Sequence, residues 1–502
     1  MTAPSLASLF PGVAQWRGRH VVLCNWRDQR HPDAGGAEVY CEQVARRLVA
    51  AGVRVTYLTA RPRGAPRREG TDHGTVVRVG GRFGVYPLAL LWLARHRRRV
   101  DAVIDSQNGV PFFAPLAVRR RTPVLLLIHH VHQRQFALLL PRPLAALGRW
   151  LESAGSRVVY GSRAVCTVSP SSRAQIRGEL GLKGPIRLAP PGHTPVAPGA
   201  RASRPRIVHV GRLTPQKRLH LLLRALPAVR AAVPGTELHL IGDGRCRTQL
   251  EALARQVGVH DHVVFHGRLP TPDRDALVAS AWLTVYPSLR EGWGIAVMEA
   301  ASAGVPALVH DVPGLRDVVH HEETGWLLPE GRTDLGAAVT RALRTVADTA
   351  RADRYARSCR AWASRFTWTA TTGHLLAALT AERDRLSANV PERVSDSCTV
   401  VTLPHSLLRR ADTSALRVTD LMDTRGPRAA LLLTGVDEQG AREIVARTGV
   451  DPSDPHVRTR LARHSDLLGW ERHPPAPRPP AAPGPGGPRA TGVRSARPTS
   501  GR

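Results

Sequence analysis

Lysine is almost missing from this chain. Of its 71 basic residues only Lys183 and Lys217 are lysine, acidic residues number 40, and the formal net charge of +31 is carried by arginine. Such a surplus reads either as genome composition or as attraction to something anionic: a membrane surface, a phosphorylated substrate or nucleic acid. Cysteine is sparse and scattered, at Cys24, Cys41, Cys166, Cys246, Cys359 and Cys398, with no CxxC pair. That spacing argues against a disulfide framework and a structural zinc, and fits a reducing cytoplasm. The longest apolar runs, "YPLALLWLA" and "TPVLLLI", fall far short of a membrane span, and the opening "MTAPSLASLFPGVAQW" lacks a charged region before an apolar stretch. Neither a transmembrane helix nor a signal peptide is expected, so the expected location is the cytoplasm, peripheral at most to the inner face of a membrane. Aromatic residues make up 5%. With no RNA-binding aromatic motif and no zinc finger, nucleic acid is not expected as a partner despite the charge.

What is present is alternation. At 502 residues the chain exceeds one compact core. "HVVLCNW" reads as a buried strand, "GGAEVYCEQVARRLVAAG" as the helix after it, and "VRVTYLTA", "VDAVIDS", "TPVLLLIHH" and "AVCTVS" as further strands with helices between several of them. A Pro/Gly/Ala-rich stretch, Ala189 to Pro205, reads as a linker. "RIVHVGRL" then opens a second series with "TELHLIGDG", "HVVFHGRL", "WLTVYPS" and "PALVHD". Apolar strands alternating with helices specify parallel sheets covered on both faces, and such sheets bind ligands at the carboxyl ends of their strands. The expected fold class is α/β, with two Rossmann-like doubly wound domains facing a cleft, at residues 17–195 and 203–385. Residues 387–473 form an extension in which "AALLLTGVDEQGAREIVARTGV" fits a strand and a helix, and the Pro/Gly/Arg-rich tail at 474–502 is expected to be disordered.

Three strand–loop–helix junctions in the second series carry chemistry. In "VGRLTPQKRL" the strand ends at Gly211, and Arg212 and Lys217 lie in the turn, a combination of backbone N–H groups and cations suited to a diphosphate. In "IGDG" Gly242 lets a ligand approach the backbone, or simply makes a turn. In "REGWGIAVMEAASAG" Glu291 precedes a helix and Glu299 lies about two turns further on among Val297, Met298, Ala300 and Ala301. A carboxylate in such surroundings needs donors, which sugar hydroxyls supply.

The run "REGWGIAVMEAASAGVPALVHDVPGLRDVV", with Glu, seven residues, Glu, strongly resembles the signature of family 4 retaining glycosyltransferases, which have the GT-B fold. The resemblance extends to "VGRLTPQKRL", "IGDG", "VVFHGRL", "VSPSSRAQI" and "ETGWLLP", and at the front to "NWRDQRHPDAGGAEVY". It implies a nucleotide-sugar donor, no cofactor and no metal. Glu299 would hold the ribose hydroxyls and Glu291 the transferred sugar, with backbone groups from Gly292 through Gly294 to Ile295. Arg212 and Lys217 would neutralise the leaving diphosphate, and Gly35 and Gly36 would line the cleft from the other domain. The family's donor-sugar histidine falls on His129 or, as second choice, His130. The acceptor expected from the resemblance is a cell-envelope glycan, a glycolipid or a small molecule. Two positions depart from the pattern: Asp317 stands where Glu is common, and Pro170 replaces Glu in "VSPSS". The rival readings are another GT-B enzyme, such as a sugar-nucleotide epimerase or a phosphorylase, and a basic nucleic-acid-binding protein. Arginine clusters in "RPRGAPRR", "ARHRRRV" and "AVRRRTP" put an anionic membrane surface among the expected partners.

Overall fold

The computed structural model describes residues 6, 10–32, 34–182, 186–329, 331, 334–388, 399–413, 416, 421–424, 428–433 and 436–462. The chain divides into two compact units, 1–392 and 393–502. The first holds two sheets. One comprises β1 (His20–Cys24), β2 (Arg54–Thr59), β3 (Arg68–Thr71), β4 (Gly74–Arg78), β5 (Ala102–Gln107), β6 (Val124–Ile128), β7 (Ala164–Thr167) and β8 (Ile186–Leu188), in the order β3-β4-β2-β1-β5-β6-β7-β8. It is parallel except for the β3–β4 hairpin. The other comprises β9 (Arg206–Val210), β10 (Glu237–Ile241), β11 (Val263–Gly267), β12 (Leu283–Tyr286), β13 (Ala307–His310) and β14 (Gly325–Leu328), all parallel, in the order β11-β10-β9-β12-β13-β14. This is the doubly wound pair expected. Strands β5, β6 and β7 are buried at every position, which is why β6 is a continuous apolar run rather than an alternating one, while β5 ends in the buried polar residues Asp105, Ser106 and Gln107.

In each sheet the strand order reverses once, between β1 and β5 and between β9 and β12. At such a point neighbouring crossovers leave in opposite directions, and the carboxyl ends of the strands open a crevice. The two series therefore place four loops, after β1, β5, β9 and β12, where a ligand can reach them.

The hairpin β3–β4 was not expected. Its sequence, "REGTDHGTVVR", is polar because it forms the sheet's edge, where only one side needs apolar cover. The short strands β8 and β14 were likewise unforeseen. The helix Trp368–Ala388, the last of the second series, crosses back and packs against the helix Gly36–Ala50 and strands β6 and β7. The Trp16 indole donates to the Thr380 hydroxyl at 2.8 Å and fixes the return. The linker is irregular, as its composition suggests, yet it is pinned along its length. The Thr371 hydroxyl donates to the Pro190 carbonyl at 2.7 Å, the Val196 amide to the Ser302 hydroxyl at 2.8 Å, and Trp282 Nε1 to the Ala202 carbonyl at 2.7 Å.

The second unit is a four-stranded antiparallel sheet of β15 (Thr399–Leu403), β16 (Leu421–Asp423), β17 (Ala429–Leu433) and β18 (Arg458–Leu461), ordered β16-β17-β15-β18. The helix Glu438–Arg447, capped by Asp437 on the Gly440 amide at 2.9 Å, contributes Ala441, Ile444 and Val445 to a core with Val401, Leu403, Leu431 and Leu433. The strand and helix expected within 429–450 are β17 and this helix; the other three strands were not anticipated. The tail at 474–502 lies outside the described residues. Among the described residues no helix is long and apolar enough to cross a membrane.

Gly192 shows how tightly the linker is held: a Cβ there would stand 2.1 Å from the Trp368 backbone nitrogen. Gly192→Ala is expected to displace the linker from the returning helix and to cost about 1–3 kcal/mol, the usual range for overpacking, read as a lowered denaturant midpoint with unchanged slope.

Candidate active site

A cavity of about 1310 Å³ lies between the two sheets, lined from both. On the C-terminal side the loops after β9 and β12 are stitched together. The Leu289 amide donates to the Gln216 carbonyl at 2.9 Å, and Gln216 Nε2 donates to the Arg290 carbonyl at 2.8 Å. Lys217, at the end of the short turn Pro215–Lys217, then meets Glu291: Nζ donates to Oε1 at 2.5 Å. Both side chains keep less than a fifth of their surface exposed. Burial pushes the Glu291 carboxyl up, but the Lys217 ammonium, the Ser288 hydroxyl and His209 together hold it below the usual carboxylate range. His209, on β9, has Nδ1 on the Val285 carbonyl at 2.9 Å and a buried Nε2 without a partner among the described residues. Burial holds its pKa down at about 4, so the ring is neutral.

The helix Ile295–Ala303 begins at Gly294, whose φ of 131° is open to glycine. Its N-terminus faces the cavity. Glu299, one turn in, lies 3.6 Å from Arg274 Nη1. Burial raises its pKa to about 7, against the pull of Arg274.

The opposite wall is the start of the helix Gly36–Ala50. The Gly35 amide donates to Glu38 Oε2 at 2.7 Å, while Arg27 Nε at 3.1 Å and Asn108 Nδ2 at 3.3 Å take Oε1. The guanidinium of Arg212 crosses the cleft to Gly35, 3.4 Å from where a Cβ would stand, and Ile295 lies 3.5 Å from the same position on Gly36. Glycines there let two domains approach at near-backbone distance.

Closer than either of these two is Gly292. A Cβ on it would stand 2.6 Å from the His129 carbonyl oxygen, so only hydrogen fits. Arg290 reinforces the contact by donating to the Val131 carbonyl at 2.9 Å. The two departures from the family pattern meet here as well. Asp317 accepts from the Ser171 amide at 3.3 Å across the domain boundary, so the changed acid and the changed "VSPSS" loop are partners.

The histidines divide. His129 is buried with Nε2 2.9 Å from the Ser106 hydroxyl and its ring edge-on to Tyr40, and burial lowers its pKa to about 3. His130 faces the cavity at its border with Arg290 and feels the charge of Glu291. The His132 ring lies 3.9 Å from that of His130, tilted by 31°, and the His132 amide donates to Glu152 at 2.7 Å. Glu152, brought from 20 residues away, is fully buried and raised by that burial to about 7.

Of the residues singled out from the sequence, Gly35, Gly36, His129, His130, Gly211, Arg212, Lys217, Glu291, Gly294, Ile295 and Glu299 line the cavity together. Gly242 does not. Its amide donates to the Gly267 carbonyl at 2.7 Å, and the following Asp243 and Gly244 line the cavity instead. Glu38, Asn108, Arg274 and His209 were missed; the positions of Asn108 and His209 at strand ends flanking the order reversals were the available signal. Among the described residues one group could present three metal ligands, Glu42, Asp72 and His73. It lies off the cavity and Arg46 pairs with both carboxylates, at 3.0 and 2.8 Å.

Two Rossmann-like domains with strand ends facing across one cleft, a glycine loop on one wall and a lysine–glutamate pair on the other, define a GT-B glycosyltransferase. The model of Glycosyltransferase Family 4 matches residues 34–197 and that of Glycosyl transferases group 1 matches residues 195–358. The chain is similar to the GDP-mannose-dependent alpha-(1-6)-phosphatidylinositol monomannoside mannosyltransferase of Mycobacterium tuberculosis, 32% identical over 197 residues, 35% of this chain. That match spans about half, 51%, of the relative's length. The protein of the same description from Mycolicibacterium smegmatis is 27% identical over 391 residues, 71% of this chain and 98% of that one. Among solved structures, sucrose-phosphate synthase from Thermosynechococcus elongatus superposes with a TM-score of 0.61 at 22% identity, over 74% of this chain and all of that one. The chain belongs to the family 4 glycosyltransferases.

Proposed function

We propose that the chain transfers a sugar from a nucleotide-sugar donor, with retention at the anomeric carbon, to a lipid-linked acceptor. The observation that carries this reading is the Lys217–Glu291 pair at the cavity floor with Arg212 beside it. Arg212 and Lys217 neutralise the charge that grows on the diphosphate as the glycosidic bond breaks. Glu291, held ionised by Lys217, accepts from sugar hydroxyls. Glu299 accepts from the ribose hydroxyls, donors that suit its buried carboxylate. His130 borders the sugar, and His129, bonded to Ser106, supports it from behind.

The acceptor oxygen attacks the anomeric carbon from the face the diphosphate leaves. The carbon–phosphate-oxygen bond breaks, and the acceptor's proton passes to the departing phosphate oxygen. A double displacement needs a carboxylate nucleophile. The acids lining the cavity are Glu38, Asp243, Glu291 and Glu299, and each is already engaged, by Gly35 and Arg27, by Gly244, by Lys217 and by Arg274. That engagement supports attack on the front face. No step calls for a metal, because the two cations do its electrostatic work.

The N-terminal wall favours a lipid acceptor. Phe136, Leu140, Leu144, Leu147 and Leu151 line it, and Leu144, Leu147 and Trp150 are about half exposed on a helix that also carries Arg142 and Arg149. An apolar stripe edged by arginine suits the interface of an anionic bilayer. The two relatives described above carry GDP-mannose-dependent mannosyltransferase descriptions, which makes GDP-mannose the donor to try first.

Binding to UDP-, GDP- and ADP-sugars tests the donor site. One of them is expected to bind, and Glu299→Gln is expected to weaken it about tenfold or more, the range for a hydrogen bond to a charged group. Because Glu299 titrates near pH 7, the accepting carboxylate is lost as pH falls through that value, so affinity should decline from pH 8 to pH 6 in the native protein and be flat in the variant. The product's NMR spectrum should show the donor's anomeric configuration, with a rate unchanged by EDTA; an inverted anomer would sink the front-face route. In flotation assays the protein should rise with vesicles containing anionic lipid and remain below with neutral ones.

A further inference from the structure

A second, smaller cavity of about 360 Å³ adjoins the cleft and shares Trp26, Arg27, Arg82 and Arg245 with it. Its other lining arginine is Arg61. It stands at the carboxyl ends of β1, β2 and β4, three neighbouring strands, so its floor is formed by the loops that follow them. Those loops are tied to one another. The Ala60 amide donates to the Trp26 carbonyl at 3.2 Å, the Arg61 amide to the Gly80 carbonyl at 3.0 Å, and Trp26 Nε1 to the Arg82 carbonyl at 3.0 Å. Arg27 stacks over the Trp26 ring at 4.6 Å. Arg245 enters from the other domain, in the loop after β10.

Four arginines therefore line one small space whose lining includes no carboxylate; Arg61 Nε donates to the Ala65 carbonyl at 2.9 Å and the Arg82 guanidinium lies 5.2 Å over the Phe83 ring. Among the described residues Arg27 alone of the four forms an ion pair, with Glu38 at 3.1 Å. Cations gathered around one space repel, and a doubly charged anion among them relieves the repulsion while suiting the planar fork of a guanidinium. We infer that this pocket binds a phosphate group of the acceptor. It rests on the glycosyltransferase reading and deepens it: the acceptor is a phosphate ester whose hydroxyl-bearing part extends into the main cleft. Since Arg245 and the other three arginines belong to different domains, the same phosphate draws the two walls together.

The source is either a soluble phosphate monoester or a lipid headgroup, and the two are separable by experiment. Full-length protein is titrated calorimetrically with myo-inositol 1-phosphate and with inorganic phosphate. In parallel it is floated with vesicles of phosphatidylcholine containing or lacking phosphatidylinositol. The same measurements are made on the double variant Arg61→Gln/Arg82→Gln, which leaves the donor contacts in place. Nucleotide-sugar binding and the circular-dichroism melt are followed in both. Binding of the monoester, or of phosphatidylinositol vesicles alone, that weakens about tenfold or more in the double variant while nucleotide affinity stays within twofold establishes the pocket and names its source. Absence of both, or retention of either at native strength in the double variant, overturns the inference while nucleotide binding still stands. Loss of nucleotide binding in the native protein instead overturns the glycosyltransferase reading. Should the double variant melt early, the single variants Arg61→Gln and Arg82→Gln are each expected to weaken the same ligand, and indifference in both is the overturning result.

Discussion

Everything in the cleft depends on one backbone contact, Gly292 against the carbonyl oxygen of His129. Two sheets that met through side chains would stand several ångströms further apart, and groups on one wall would not reach a ligand held by the other. Because hydrogen alone separates them here, Arg212 can lie against Gly35 and Ile295 against Gly36. Arg290 and the Asp317–Ser171 bond hold the approach from either side. The sequence between Arg290 and Ile295 is thus read twice, once as scaffold for Glu291 and once as the surface on which the other domain rests.

The electrostatics follow from burial. A carboxylate taken out of water must be paired or protonated. Glu291 is paired, with an ammonium at 2.5 Å, and stays ionised. Glu299, with a guanidinium at 3.6 Å, titrates near neutrality. One protein therefore keeps two acids on either side of a single helix start in different states, and it does so by the distance and type of cation each is given. That the nearer cation is a lysine in a chain of arginines fits the geometry: a compact ammonium seats on a single oxygen where a guanidinium fork would need two.

Much of this was legible in the sequence because parallel strands buried on both faces leave continuous apolar runs, and the loops after them carry the polar residues. Gly211, Lys217, Glu291 and Glu299 could be placed on those loops and helices without coordinates. What was illegible was anything settled by distant pairing. The hairpin β3–β4 has too little apolar residue to announce itself. Glu152 reaches His132, and Asp317 reaches Ser171, from positions that no local pattern connects. Two deviations that look unrelated along the chain are one bond in space. Gly242 carried the right motif and the wrong role, because its neighbour's side takes the cavity while it packs behind Gly211.

The returning helix Trp368–Ala388 has a consequence for how the two lobes move. The chain passes between them twice, once outward through the linker and once back, and the passes touch at Gly192 and Trp368 and at Pro190 and Thr371. A single connection would let the second lobe swing over a cone, like a pendulum. Two connections side by side confine it to turning about one line, like a door on its hinge. A break in either pass would still leave the lobes joined through the other.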